Sequence, residues 1–155
     1  MLRSIVALAI FVWPAIAVAV DLSVGDVEME PVVSGLNEPW SVGFLPDGDL
    51  IITERDGRLL YIRNGKRREI TGLPAVAATG QGGLLDVLIP SDFERRREIF
   101  LSYSKHQSNG AGTAVLRARL SNDNSRLSGI KTIFEMSSGS SGGRHFGSRI
   151  VEASD

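Results

Sequence analysis

Trp40-Ser41-Val42-Gly43-Phe44-Leu45-Pro46-Asp47-Gly48, with Leu50-Ile51-Ile52-Thr53 and Leu59-Leu60-Tyr61-Ile62 after it, decides how this chain folds. Trp40, Val42 and Phe44 alternate with smaller residues, the period of two that puts large side chains on one face of a strand. Pro46-Asp47-Gly48 and Asp56-Gly57 each turn the chain, and Asn64-Gly65 is a strong hairpin signal because both residues accept positive φ. Further short apolar segments follow at Leu84 to Ile89, Ile99 to Tyr103, Val115 to Leu120 and Ile130 to Phe134. No long stretch beyond residue 19 has helical periodicity, so the expected class is all-β.

The strands repeat as a group. Phe44-Leu45-Pro46-Asp47-Gly48 has a counterpart in Leu88-Ile89-Pro90-Ser91-Asp92, and a new strand follows each, from Leu50 and from Glu98. The two prolines are 44 residues apart, within the roughly 40–50 residues of a four-stranded propeller blade. A third start stands at Phe146 to Val151. The expected architecture is a partial β-propeller of about two blades plus the first strand of a third. A β-sandwich also fits short strands with frequent turns. A ring needs at least about four blades to close, so an open edge and an uncovered apolar face are expected here.

Residues 1–19 stand apart from the fold. Met1-Leu2-Arg3 is a short positive start, Ile5 to Ala19 is apolar apart from Pro14, and Ala17-Val18-Ala19 has the small-x-small form that signal peptidase accepts. This reads as a secretory signal peptide cleaved before Val20, too short and interrupted for a stable membrane anchor. Residues 20–155 then form the exported domain, periplasmic or secreted. Arg3 is lost with the leader, so the 17 basic residues become 16 against 18 acidic ones, a formal charge of −2. That balance gives no sequence-wide attraction to nucleic acid. Lys66-Arg67-Arg68 and Arg95-Arg96-Arg97 read as solvated turns. Cysteine is absent, which excludes thiol catalysis, thiolate metal sites and disulfides.

Three polar clusters precede the three repeat-starting strands: Glu38-Pro39-Trp40, Gly80-Gln81-Gly82-Gly83 and Arg144-His145-Phe146-Gly147. In a propeller the first strand of each blade lines the central channel, so these clusters converge on one axial pocket. His145 is the catalytic candidate, because an imidazole titrates near neutrality and can take a proton from a substrate hydroxyl. Gly142, Gly143 and Gly147 around it would let a flat ligand approach the backbone. A structural histidine in a Ser/Gly loop is the competing reading, and for His106, in the polar stretch Lys105 to Gly112, it is the stronger one. Gln81 can donate and accept hydrogen bonds to a carbonyl-rich ligand, although its glycines equally suit a tight turn. Ser137 to Gly143 resembles a linker. It lacks the lysine of a phosphate loop, and the chain shows no Asp-x-Asp calcium loop, clustered-histidine zinc site or Gly-x-Ser-x-Gly elbow.

Several ordered motifs carry a resemblance. Leu36-Asn37-Glu38-Pro39-Trp40-Ser41, Phe44 to Gly48, Ile52-Thr53-Glu54-Arg55, Gly80-Gln81-Gly82-Gly83-Leu84-Leu85-Asp86-Val87, Leu101-Ser102-Tyr103-Ser104 and Gly143 to Arg149 together resemble the soluble, pyrroloquinoline quinone (PQQ)-dependent aldose sugar dehydrogenases of the glucose/sorbosone dehydrogenase family. The match runs from about Val32 to Ile150. It implies a six-bladed propeller exported to the periplasm, which oxidises the anomeric hydroxyl of an aldose to the lactone and passes electrons to a downstream acceptor. It implies that the residue at His145 is the general base on the C1 hydroxyl, that hydride passes from C1 to the C5 carbonyl carbon of the quinone, and that Gln81 lies against cofactor and substrate. The arginines and lysine that hold PQQ, and the calcium ligands, belong to later blades beyond this chain. After Arg149-Ile150-Val151 the sequence departs from the family, with Glu152-Ala153-Ser154-Asp155 where a phenylalanine and an Asp-Pro-Asp-Gly-like turn are usual. The chain alone is therefore expected to be inactive. A metal-dependent propeller lactonase would instead need carboxylate ligands at the strand starts, where this chain has Trp40, Gln81 and His145. A non-catalytic ligand-binding propeller is the remaining alternative.

Overall fold

The structure is a computed structural model that describes residues 20–22, 25–147 and 149–154. The leader expected over residues 1–19 lies outside them, as does its cleavage site. The described residues fall into two units, divided between Pro31 and Val32. The first contains an antiparallel pair of short strands, β1 (Val20–Leu22) and β2 (Gly25–Val27).

The second unit begins with a four-stranded antiparallel meander of β3 (Pro39–Phe44), β4 (Leu50–Glu54), β5 (Arg58–Arg63) and β6 (Lys66–Glu69), hydrogen-bonded in that order. A second meander repeats it: β7 (Leu84–Leu88), a short helix α1 (Phe93–Arg96), β8 (Glu98–Gln107), β9 (Gly110–Leu120) and β10 (Leu127–Glu135), with β7 and β10 at the edges. These are two propeller blades, with β3 and β7 as equivalent first strands. Pro39 opens β3 at a sheet edge, where its missing N–H breaks no ladder bond.

The core lies between the two sheets. Ile51, Leu59 and Tyr61 of the first face Leu84, Leu101, Ala114, Leu116 and Ala118 of the second, all buried. In β9 the buried positions fall at every second residue from Gly112 to Leu120, the pleat period expected of a strand with one face in a core. Each buried leucine or isoleucine contributes about 1.5–3 kcal/mol. The other face of the first sheet, Ile52, Leu60 and Ile62, is covered by Val33 and Leu36. Phe44, Ile133 and Phe134 remain exposed, as an open blade edge requires.

Four expectations need correction. Lys66-Arg67-Arg68 is not a turn but part of the outer strand β6, paired with β5 from Leu60↔Glu69 to Arg63↔Lys66. It carries no apolar alternation because all four of its residues are exposed, and its charges suit a sheet edge, where Arg67 donates to the Ser34 carbonyl at 3.3 Å. Arg95 and Arg96 are exposed and lie 2.8 and 2.7 Å from Asp92, but they belong to helix α1. Arg97, which follows it, is half-buried: its guanidinium stacks 4.6 Å from the Phe93 ring centroid and donates to the Ser121 carbonyl at 2.8 Å. Ser137 to Gly143 is no free linker, since Ala111 and Ser140 exchange both backbone hydrogen bonds, at 3.1 and 2.9 Å.

The expected third start, Phe146 to Val151, makes no strand ladder among the described residues. Among the described residues no second strand lies beside it to pair with. Individual bonds hold it instead: the Thr113 hydroxyl donates to the Phe146 carbonyl at 2.5 Å, and the Ile150 N–H donates to the Asp86 carboxylate at 2.6 Å.

Candidate active site

β3 and β7 start at the same end of their sheets, so the loops before them meet. Glu38, Pro39 and Trp40 from the first loop, Gly80 and Gln81 from the second, and His145, Phe146 and Gly147 line one cleft of about 670 Å³, which Arg55 at the end of β4 completes. The three polar clusters singled out in the sequence are thus brought together. Gln81 and His145, 64 positions apart, are directly bonded: the His145 N–H donates to Gln81 Oε1 at 3.0 Å. The Gln81 N–H in turn donates to the Gly143 carbonyl at 2.9 Å. Both side chains are exposed on the cleft, beside a Trp40 ring that is 45% exposed.

Two lining residues adopt left-handed backbone conformations without being glycine, Glu38 at φ 46° and His145 at φ 63°. Each costs about 1–2 kcal/mol, and bonds on either side hold them there. The glycine run is needed for close approach. A Cβ on Gly83 would lie 2.0 Å from the Arg55 carbonyl oxygen, and one on Gly80 would lie 2.3 Å from that of Gly143. Gly147, at φ 61°, has open space where its side chain would be. Gly143 packs on the Gly80 backbone instead, and Gly142 lies outside the cleft. His106 is exposed on β8 and does not line the cleft.

Sequence reasoning missed the residue that assembles these loops. Arg55 donates to the carbonyls of Gly80 and Gly82, both at 3.2 Å, on either side of Gln81. Its other nitrogen donates to both carboxylate oxygens of Glu38, at 3.0 and 2.8 Å. Its backbone N–H reaches the Glu38 carbonyl at 3.1 Å, and its carbonyl accepts the Leu84 N–H at 3.0 Å. Glu54 beside it is fully buried; it accepts the Asn37 N–H at 2.5 Å and pairs with Arg58 at 2.7 Å. The available signal was the arginine in Ile52-Thr53-Glu54-Arg55, at a strand end facing a glycine run that needs its carbonyls held.

Among the described residues, three ionisable groups depart clearly from their ordinary range, and all lie away from the cleft. Lys105 is raised by its hydrogen bond to Glu135, and Glu135 is lowered by the same bond and by Gln107. Asp123 is lowered to about 2 by the hydroxyls of Ser121 and Ser125.

Two four-stranded blades presenting polar loops to a shared cleft at the starts of their first strands define a segment of a β-propeller protein. The model of the Glucose / Sorbosone dehydrogenase family matches residues 36–155, and the chain belongs to that family. It is 43% identical over 129 residues to aldose sugar dehydrogenase YliI of Escherichia coli (strain K12), an alignment covering 81% of this chain and 35% of the relative. The crystal structure of the soluble aldose sugar dehydrogenase from Escherichia coli in the apo form matches with a TM-score of 0.72 and 44% identity, over 76% of this chain and 35% of that one. The PQQ-bound aldose sugar dehydrogenase from Streptomyces coelicolor shares the fold, with a TM-score of 0.62 at 23% identity over 70% of this chain and 33% of that one. The chain spans about a third of the length of these relatives.

Proposed function

We propose that this chain supplies the N-terminal part of the active site of a PQQ-dependent aldose dehydrogenase, with His145 as general base and Gln81 as the contact to cofactor and sugar. The observation that carries the reading is the 3.0 Å bond between two residues 64 positions apart, at the edge of a cleft wide enough for a flat ligand.

The cleft suits part of such a cofactor. Trp40 offers an aromatic face, Gln81 an amide for carbonyl groups, and Gly147 leaves the backbone unobstructed. Arg55 is engaged by Glu38, so the carboxylates of the quinone need cations from outside this segment. Among the described residues no three metal-ligating side chains cluster, and no step is assigned to calcium. When bound, the quinone supplies a two-electron acceptor for hydride. Gln81 orients the sugar by hydrogen bonding. An imidazole nitrogen of His145 takes the C1 hydroxyl proton as hydride leaves C1, so that C1–O becomes the lactone carbonyl and the proton stays on the imidazole. Trp40 and Phe146 keep one side of the cleft apolar.

The leader-like pattern in residues 1–19 supports a location in the periplasm or outside the cell. No helix among the described residues is long and apolar enough to cross a membrane. Intact mass of the exported product tests the leader, with Val20 as the expected first residue.

Replacing the corresponding segment of the Escherichia coli relative with residues 36–150 gives a chimera that should oxidise aldoses when loaded with PQQ and calcium. His145→Ala in it should lower kcat about 10²–10⁴-fold. Retention of full activity in that variant overturns the assignment. The 155-residue chain alone should not oxidise glucose under the same conditions, and turnover there would refute the view that later blades are required.

A further inference from the structure

A second buried carboxylate lies outside the cleft. Asp86, in the middle of β7, is 3% exposed. Its Oδ1 accepts the Ser41 hydroxyl of β3 at 2.6 Å and the Arg149 guanidinium at 3.3 Å. Its Oδ2 accepts the Ile150 N–H at 2.6 Å. Its own N–H donates to the Ser102 hydroxyl of β8 at 3.0 Å. One side chain therefore joins the first strand of each blade to the segment leaving the cleft. β3 and β7 belong to different sheets, so no ladder connects them there.

Burying a carboxylate is expensive, and an apolar residue would serve a propeller core at least as well. What the carboxylate adds is directional. Ser41 adjoins Trp40, and Ile150 lies five residues past His145. Between His145 and Ile150 the chain passes through Gly147, which has φ 61° and no neighbour to restrain a side chain. The Gln81 bond to His145 and the Thr113 bond to Phe146 fix one end of this stretch, and the Asp86 bond fixes the other.

From this geometry we infer that Asp86 is a positioning residue for the cleft: by anchoring Ile150 and Ser41 to β7, it sets where His145 and Trp40 stand relative to Gln81. The inference rests on the reading of His145 as the base, but its structural half can be measured without any turnover.

The experiment uses the isotope-labelled 155-residue chain. Asp86→Asn removes the charge from the acceptor of Ile150 and puts an NH2 group either against the Ile150 N–H or against Ser41 and Arg149. In the second placement the hydroxyl can turn to accept, but the guanidinium loses its acceptor. In both cases the charge-assisted bond to Ile150 is weakened or lost. The Ile150 and His145 amides should then exchange at least about tenfold faster, and the His145 ring resonances should shift. Ile51 and Leu59, buried at 0% exposure in the first blade, should keep their protection. Ser41→Ala removes a donor while leaving the acceptor of Ile150, and should leave Ile150 protected. Unchanged Ile150 exchange in Asp86→Asn overturns the inference. So does an equal loss at Ile51 and Leu59, which would make the carboxylate a matter of overall stability. If Asp86→Asn does not fold, scalar coupling across the hydrogen bond from the Ile150 nitrogen to the Asp86 carboxyl carbon decides in the unsubstituted chain, and its absence refutes the anchor.

In the active chimera, Asp86→Asn should lower kcat up to about 10²-fold while KM stays within about twofold, because a base displaced by an ångström loses alignment rather than binding. Unchanged kcat with displaced His145 signals would remove His145 from the chemistry and leave the anchor standing, so the two failures are separable.

Discussion

Replacing Arg55 with alanine removes the fork that holds both loops of the cleft. The pair with Glu38 joins side chains 23% and 54% exposed, so screening by water keeps it near the surface value of about 0.5–1 kcal/mol. The two bonds to Gly80 and Gly82, each 3.2 Å long and partly exposed, add about 0.5–1 kcal/mol apiece. Together the loss comes to about 2 kcal/mol, which for a unit of this size lowers Tm by roughly 6–10 °C. Arg55→Lys keeps a charge for Glu38 but lacks the fork, and should lose about half as much. Urea unfolding followed by circular dichroism measures both variants. A double-mutant cycle with Glu38→Gln isolates the ion pair, with an expected coupling of about 0.5–1 kcal/mol. Amide exchange supplies the local readout, with Gln81 and His145 accelerated and Leu59 unaffected. A stability loss below about 0.5 kcal/mol, or acceleration spread evenly over the sheets, would refute the claim that this guanidinium holds the cleft together.

Gly83→Ala should cost about 3 kcal/mol or more, because its Cβ would fall 2.0 Å from backbone that cannot move aside. Gly147→Ala, in open space at φ 61°, should cost only about 1–2 kcal/mol of backbone strain, and equal losses in the two would contradict the packing described. Asp123 should titrate at about 2 by carboxyl-carbon NMR, and Ser121→Ala should move the midpoint up toward the ordinary 3.8. Because folding lowers this pKa, the associated stability is present above about pH 4 and fades as pH falls toward 2; a midpoint already at 3.8 would show that the two serines do not hold the carboxylate.

Much of the fold was legible because strands and turns obey short-range rules. Trp40, Val42 and Phe44 alternate, although the face of β3 they share is exposed, Asn64-Gly65 turns at positive φ for both residues, and the apolar segments from Leu84 and Ile99 became β7 and β8. β6 escaped because Lys66 to Glu69 are all exposed, so their strand state comes from hydrogen bonds to β5 rather than from any apolar pattern. Helix α1 is one turn long, below the length at which periodicity can register. The Ser/Gly run read as a linker because composition does not reveal that Asn109 bonds Ser138 and Gly139, or that Ala111 pairs with Ser140.

The candidate site divides the same way. An imidazole and a carboxamide suited to sugar chemistry, each set beside glycines, are properties of the linear chain, as are the absence of cysteine and the leader-like start. Which backbone group Gln81 binds, that Arg55 is committed to Glu38 and two carbonyls, and that Asp86 joins three segments were decided only by the tertiary structure. The reason is physical: local residue order sets which way a strand's side chains alternate, whereas a hydrogen bond between residues 45 or 64 positions apart depends on how two sheets stack, and that is fixed by the whole core at once.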